Sequence, residues 1–205
     1  MCKRSLVVVL ALVVSSQAWA VAVLPGTSAN AVAEPDPVNG AVIAGPLVTP
    51  LVGAAFNATL ISTVIQGDTS NPYGGLTFVY EVINSPNSQD PLGRVTITGF
   101  DGWLTDMSYQ PQLGGQLPPT IMDRAANGEV VGYSFIAPPL GTTALLPGAT
   151  SELLVVQTNA PSYTTSVGNV IDGSIAAGPA YAPIPEPTAL LLLVGSAGMW
   201  LRRRR

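Results

Sequence analysis

Histidine is missing from all 205 residues, cysteine occurs only at Cys2 and lysine only at Lys3. A chain without these has no imidazole base, no thiolate nucleophile beyond the first residues, and no lysine for a Schiff base or a phosphate loop. It can form no internal disulfide, and it lacks the ligands of a thiolate or imidazole metal site. Charge is scarce as well, at 10% of residues against about 25% in an ordinary soluble domain. The little there is lies unevenly. Lys3, Arg4, Arg202, Arg203, Arg204 and Arg205 stand at the two ends, which leaves Arg94 and Arg124 as the only cations between. Eleven of the twelve acids fall within residues 21–183, so this body carries a net −9. Such a body repels phosphate backbones, which excludes nucleic acid as a partner. Most enzyme classes go with the missing side chains, and the expectation is a protein that is not an enzyme and has no resident cofactor.

The ends carry the strongest patterns. A basic stub at Lys3 and Arg4 precedes nine apolar residues, 6–14, and then small residues at Ala18 and Ala20. This is the layout of a secretory signal peptide, with cleavage expected after Ala20. Nine residues are too few to cross a bilayer core as a helix. At the other end, Pro185-Glu186-Pro187 is followed by Thr188, thirteen mostly apolar residues, 189–201, and the four arginines 202–205. Thirteen residues rise about 20 Å as a helix, short of a core about 30 Å thick. Snorkelling arginine stems and local thinning close the gap. The arginines hold their end in the cytoplasm, so the body faces outward.

These three parts, in this order and ending at the stop, resemble the PEP-CTERM sorting signal of exported proteins of Gram-negative bacteria. The resemblance covers about a tenth of the chain. It implies recognition by an exosortase at the motif, with Glu186 as the recognised position and Pro185 and Pro187 keeping the segment extended. It also implies transient anchoring in the inner membrane, then a place at the cell surface or outside the cell, with exopolysaccharide and biofilm matrix as the setting.

Between the ends the period is two. Leu76, Phe78, Tyr80 and Val82 share one face, and Thr77, Val79, Glu81 and Ile83 the other. Similar runs recur at 56–65, 94–100, 130–136 and 153–157, separated by turn-rich segments such as Asn84-Ser85-Pro86-Asn87-Ser88 and Ala126-Asn127-Gly128. With 21 glycines and 19 prolines, helical periodicity is absent outside the terminal signals. The expectation is an all-β fold, an antiparallel β-sandwich of immunoglobulin-like kind. Its core anchors are Phe56, Phe78, Tyr80, Phe100, Trp103, Tyr133 and Phe135. The stretch 75–100 also resembles the repeats of bacterial surface sandwich domains. Residues 1–20 read as signal peptide, 21–50 as an extended lead-in supplying one or two edge strands, and 51–181 as the sandwich, with a closing hairpin at 163–181. Residues 182–188 read as linker with the motif, and 189–205 as a short hydrophobic helix with its arginine tail.

Only carboxylates remain for acid–base chemistry. Asp101 and Asp106 flank Gly102-Trp103-Leu104, and an aromatic beside two acids is what a sugar site could show. A tight turn with Trp103 in the core is the first reading, a calcium- or sugar-binding loop the second, and catalysis the last. No run of alternating oxygen donors marks a calcium loop. The single pair Thr96 and Thr98 is no array, which argues against ice binding. The expectation is therefore a structural or adhesive protein near exopolysaccharide, with calcium-bridged contacts to anionic polymer as a use for the −9 body. A carbohydrate-binding module, with Trp103 or Tyr109 as stacking platform, is the alternative; ice binding and glycan hydrolysis stand behind both.

Overall fold

A computed structural model describes residues 21–136 and 144–184. The signal-peptide residues Ala18 and Ala20, the motif Pro185-Glu186-Pro187 and Arg202, Arg203, Arg204 and Arg205 lie outside the described residues. Among the described residues there is no helix, and so none long and apolar enough to cross a membrane.

Two antiparallel six-stranded sheets make up the body. The first contains β1 (Val21–Ala22), β3 (Ala41–Val52), β4 (Asn57–Gln66), β5 (Thr77–Asn84), β7 (Thr105–Gln110) and β10 (Leu153–Thr158), in the order β1-β7-β10-β5-β4-β3. The second contains β2 (Ser28–Asn30), β6 (Arg94–Thr98), β8 (Ile121–Arg124), β9 (Val130–Ser134), β11 (Tyr163–Asp172) and β12 (Ser174–Pro183), in the order β12-β11-β6-β9-β8-β2. The all-β expectation holds, and the arrangement is consistent with a β-sandwich. Residues 21–50, read from sequence as a lead-in with one or two edge strands, supply three: β1, β2 and most of β3.

Alternation builds the core. Leu76, Phe78, Tyr80 and Val82 are all buried and belong to one apolar cluster with Leu154 and Val156 of β10, Met107 of β7, and Val95, Ile97, Val131 and Tyr133 of the second sheet. Phe78 meets Phe100 edge to face, with centroids 5.8 Å apart, the geometry aromatic rings favour. Two buried tyrosines tie the sheets together through their hydroxyls. Tyr80 donates to the Tyr181 carbonyl at 2.6 Å, and Tyr133 to the Val155 carbonyl at 2.6 Å. Burial pushes both phenols well above their ordinary range. Six of the seven expected anchors are buried. Trp103 is the exception: it is only partly buried, and its indole N–H donates to the Ile184 carbonyl at 3.1 Å.

The closing hairpin forms as read, β11 against β12 over ten residue pairs, turning at Gly173, whose φ of 60° suits glycine. β12 also reaches the other sheet. Thr49 of β3 donates its hydroxyl to the Pro179 carbonyl at 2.7 Å, and the Tyr181 amide donates to Ser62 Oγ of β4 at 3.1 Å. The edges β3 and β12 therefore meet along one side of the body.

Candidate functional site

An outer strand face normally shows polar residues to water. On the first sheet, at one end, it does not. Thr77, Gln157 and Asp106 form a row across β5, β10 and β7, and Val79, Val155 and Ser108 form the next row. All six are buried, although none belongs to the core cluster. Something covers them.

The cover is a strap and a loop. The strap runs beside β7, where the Tyr109 amide donates to the Val32 carbonyl at 3.0 Å and the Glu34 amide to the Tyr109 carbonyl at 2.9 Å. Glu34-Pro35-Asp36-Pro37 then carries the chain across to the β4 side, where the Val38 amide donates to Asp68 Oδ1 at 2.8 Å. Two prolines in four residues suit this crossing, because they fix their own φ and remove two amide donors that no ladder would satisfy. The loop after β4 supplies Asp68, Ser70 and Asn71. Asn71 pins it to the sheet by donating to the Gly75 and Thr158 carbonyls, each at 3.1 Å.

Strap, loop and sheet bring four carboxylates together: Glu34, Asp36, Asp68 and Asp106, each at most 6% exposed. Asp68 is well served. It accepts from Ser70 Oγ at 2.5 Å, Thr77 Oγ1 at 2.7 Å, Val38 N at 2.8 Å, and Ser70 N and Gln157 Nε2 at 3.0 Å. Burial raises its pKa most among the single causes, yet the hydrogen bonds together outweigh it and the net direction is down. Asp106 is poorly served. Burial, with repulsion from Asp36 and Glu34 acting against a Met107 backbone hydrogen bond, raises it to about 6. Burial and the neighbouring Asp36 raise Glu34. Asp36 rises through burial, helped by Asp68, against hydroxyls of Ser70 and Ser108, the latter at 3.3 Å. Glu34 Oε1, Asp106 Oδ1 and Gln157 Oε1 are buried with no hydrogen-bond partner. Among the described residues, no three Asp, Glu, His or Cys side chains are grouped so as to hold a metal ion.

The residues singled out from sequence do not converge. The charges of Asp36 and Glu34 act on Asp106, whereas the charge of Asp101 acts on Arg124. Trp103 does not join Asp106 in a loop; its indole edge is committed to Ile184. The reason lies in the chain between them. Gly102, at φ 80°, turns it, and β7 then points Asp106 out of the first sheet, opposite core-facing Met107. Thr96 and Thr98 are bonded to Asn169 Nδ2 at 3.3 Å and Ser166 Oγ at 2.8 Å on β11, so they present no free ladder. Sequence reading missed Glu34, Asp36 and Asp68 as partners of Asp106. The available signal was the polar residues at alternate positions of otherwise apolar strands.

Neither cation of the body reaches this cluster. Arg94 forms a two-pronged pair with Asp123 on the second sheet, one bond at 2.6 Å, and lies so close over Gly132 that a side chain there would collide with it. Arg124 is buried and donates to Phe100 O at 2.6 Å, Trp103 O at 2.8 Å, Gly128 O at 2.9 Å and Thr105 Oγ1 at 3.0 Å. Burial lowers its pKa, with Asp101 and Tyr73 acting the other way. Searches for similar proteins found no matching family, no matching curated protein and no matching solved structure.

Proposed function

We propose that this is an exported, non-enzymatic structural or adhesive protein of a bacterial surface or exopolysaccharide matrix, sorted by a PEP-CTERM signal and processed by an exosortase. The observation that carries the reading is the ordered tail: Pro185-Glu186-Pro187, the apolar run 189–201 and four arginines, matched by a signal-peptide pattern at the start. Two features of the body are compatible with it. The last strand ends at Pro183, and Ile184, directly before the motif, is tied to Trp103. Both body arginines are engaged, Arg94 by Asp123 and Arg124 by buried carbonyls, so acids dominate what the surface offers. That surface suits repulsion between copies and calcium-bridged contact with anionic polymer. The immunoglobulin-like topology belongs to the same proposal. Two antiparallel sheets support it, although six strands per sheet is wider than the roughly three to five of such domains.

The intact mass of the protein recovered from the outside of its host tests this. A chain that begins at Val21 and ends within Pro185-Glu186-Pro187 is the expected result. A chain that keeps Arg202, Arg203, Arg204 and Arg205 overturns the exosortase step, and one that keeps residues 1–20 overturns cleavage of the signal.

A further inference from the structure

Among the described residues, the carboxylates at the strap have no cation to balance them. Asp106 feels the charges of Asp36 and Glu34 on the strap, and Asp36 is tied at 3.3 Å to Ser108, two residues along β7 on the same face. Asp68 stands beyond Gln157, whose Nε2 it holds at 3.0 Å. The other titratable groups acting with Asp106 are the phenols of Tyr73 and Tyr133. Arg124 acts on Tyr73, but its four hydrogen bonds all go to other groups. Buried like charges without a counter-ion oppose one another strongly, and a proton is the smallest remedy. The two orphaned oxygens, Glu34 Oε1 and Asp106 Oδ1, belong to the strap and to the sheet beneath it. Repulsion between them acts to lift the strap.

We propose that the strap is a proton-linked latch: it lies closed on the first sheet while at least one carboxyl among Glu34 and Asp36 of the strap and Asp106 of the sheet is protonated, and it loosens when they are all ionised. The direction follows from the groups concerned. Asp106 is raised from 3.8 to about 6, and Glu34 and Asp36 are raised too. Their support for the closed strap is full below the ordinary carboxylate range and is lost as pH rises through about 6. Asp68 is lowered, so it stays ionised from pH 5 to 8 and does not oppose the effect in that window. The strap amides report on the latch, since Glu34 N and Val38 N are bonded only while it is closed.

Hydrogen exchange on the full chain in mild detergent, with chelator present and rates corrected for intrinsic pH dependence, decides the matter. Protection at Glu34 and Val38 should fall about tenfold from pH 5 to 8, the part of the Asp106 effect that lies within this window. Protection at Leu92 and Leu145, which exchange hydrogen bonds at 2.9 Å away from the strap, should stay level. Asp106→Asn should keep the strap protected at both pH values. Should that variant fail to fold, Glu34→Gln should shrink the fall. A level profile in the wild type, or an undiminished fall in the folded variant, overturns the latch. So does calcium restoring protection at pH 8, which would make the cluster a divalent-cation site instead.

Discussion

Both arginines of the body belong to the second sheet, on β6 and β8, whereas its crowded carboxylates gather outside the first. The two regions bury charge with different success. Arg124 is 5% exposed and donates four hydrogen bonds; Asp106 is 6% exposed and keeps an oxygen with none. Depth of burial is the same, so it does not separate them. The supply of partners does. The contrast repeats on a smaller scale under the strap, where Asp68 with five donors is held low and Asp106 is pushed up. A buried ion is tolerated where the backbone turns enough complementary groups toward it, and becomes a source of strain where it does not.

Removing the best-served ion should break the contrast most severely. Arg124→Met strands the carbonyls of Trp103 and Gly128, leaves that of Phe100 with the Trp103 amide at 3.3 Å alone, and should cost about 3 kcal/mol or more in urea unfolding. A loss under 1 kcal/mol would show that water replaces the guanidinium. Asp68→Asn comes next, at about 2 kcal/mol near pH 7, because an amide cannot accept all five bonds. Since Asp68 is lowered, its contribution is present above about pH 4 and fades as the carboxylate takes up its proton in acid, so variant and wild type should converge there. A constant difference at every pH would contradict the direction given for Asp68. The smallest effect belongs to the outer pair. Arg94 and Asp123 side chains are 30% and 25% exposed, so Asp123→Asn should cost about 0.5 kcal/mol and lose its effect in high salt. A larger, salt-insensitive loss would place that pair in the same class as Arg124.

Much of the fold was legible because period two is strong where one face meets an apolar core and the other meets water. That describes β6, β9, the hairpin β11–β12 and the Glu81–Ile83 end of β5, whose other end is covered. β7 was not legible. Its sequence, Thr-Asp-Met-Ser-Tyr-Gln, has polar residues on the outer face that are nonetheless buried, because the strap covers them. β1, β2 and β3 hide in a stretch of Ala, Val, Gly and Pro whose strand identity comes from pairing with β7, β8 and β4. Trp103 was read as core because it is large and apolar, but its indole N–H takes a backbone partner, the Ile184 carbonyl, at the rim. The acidic cluster was invisible for a topological reason. Its members come from the strap, a loop and a strand spread over residues 34–106, whereas Asp101 and Asp106, neighbours in sequence, diverge.

The meeting of β3 with β12 has a consequence for how copies of this protein associate. An open sheet edge invites another strand to add to it, and repeated addition makes a fibre. Here β2 is three residues long, too short to template a partner. β3 carries Pro46 and Pro50, β12 carries Pro179 and Pro183, and the Thr49–Pro179 bond holds the two edges against each other. Among the described residues no long ladder is left open. Strand addition between copies is therefore disfavoured along these edges, so that contact between two bodies leaves each sheet's own ladder intact.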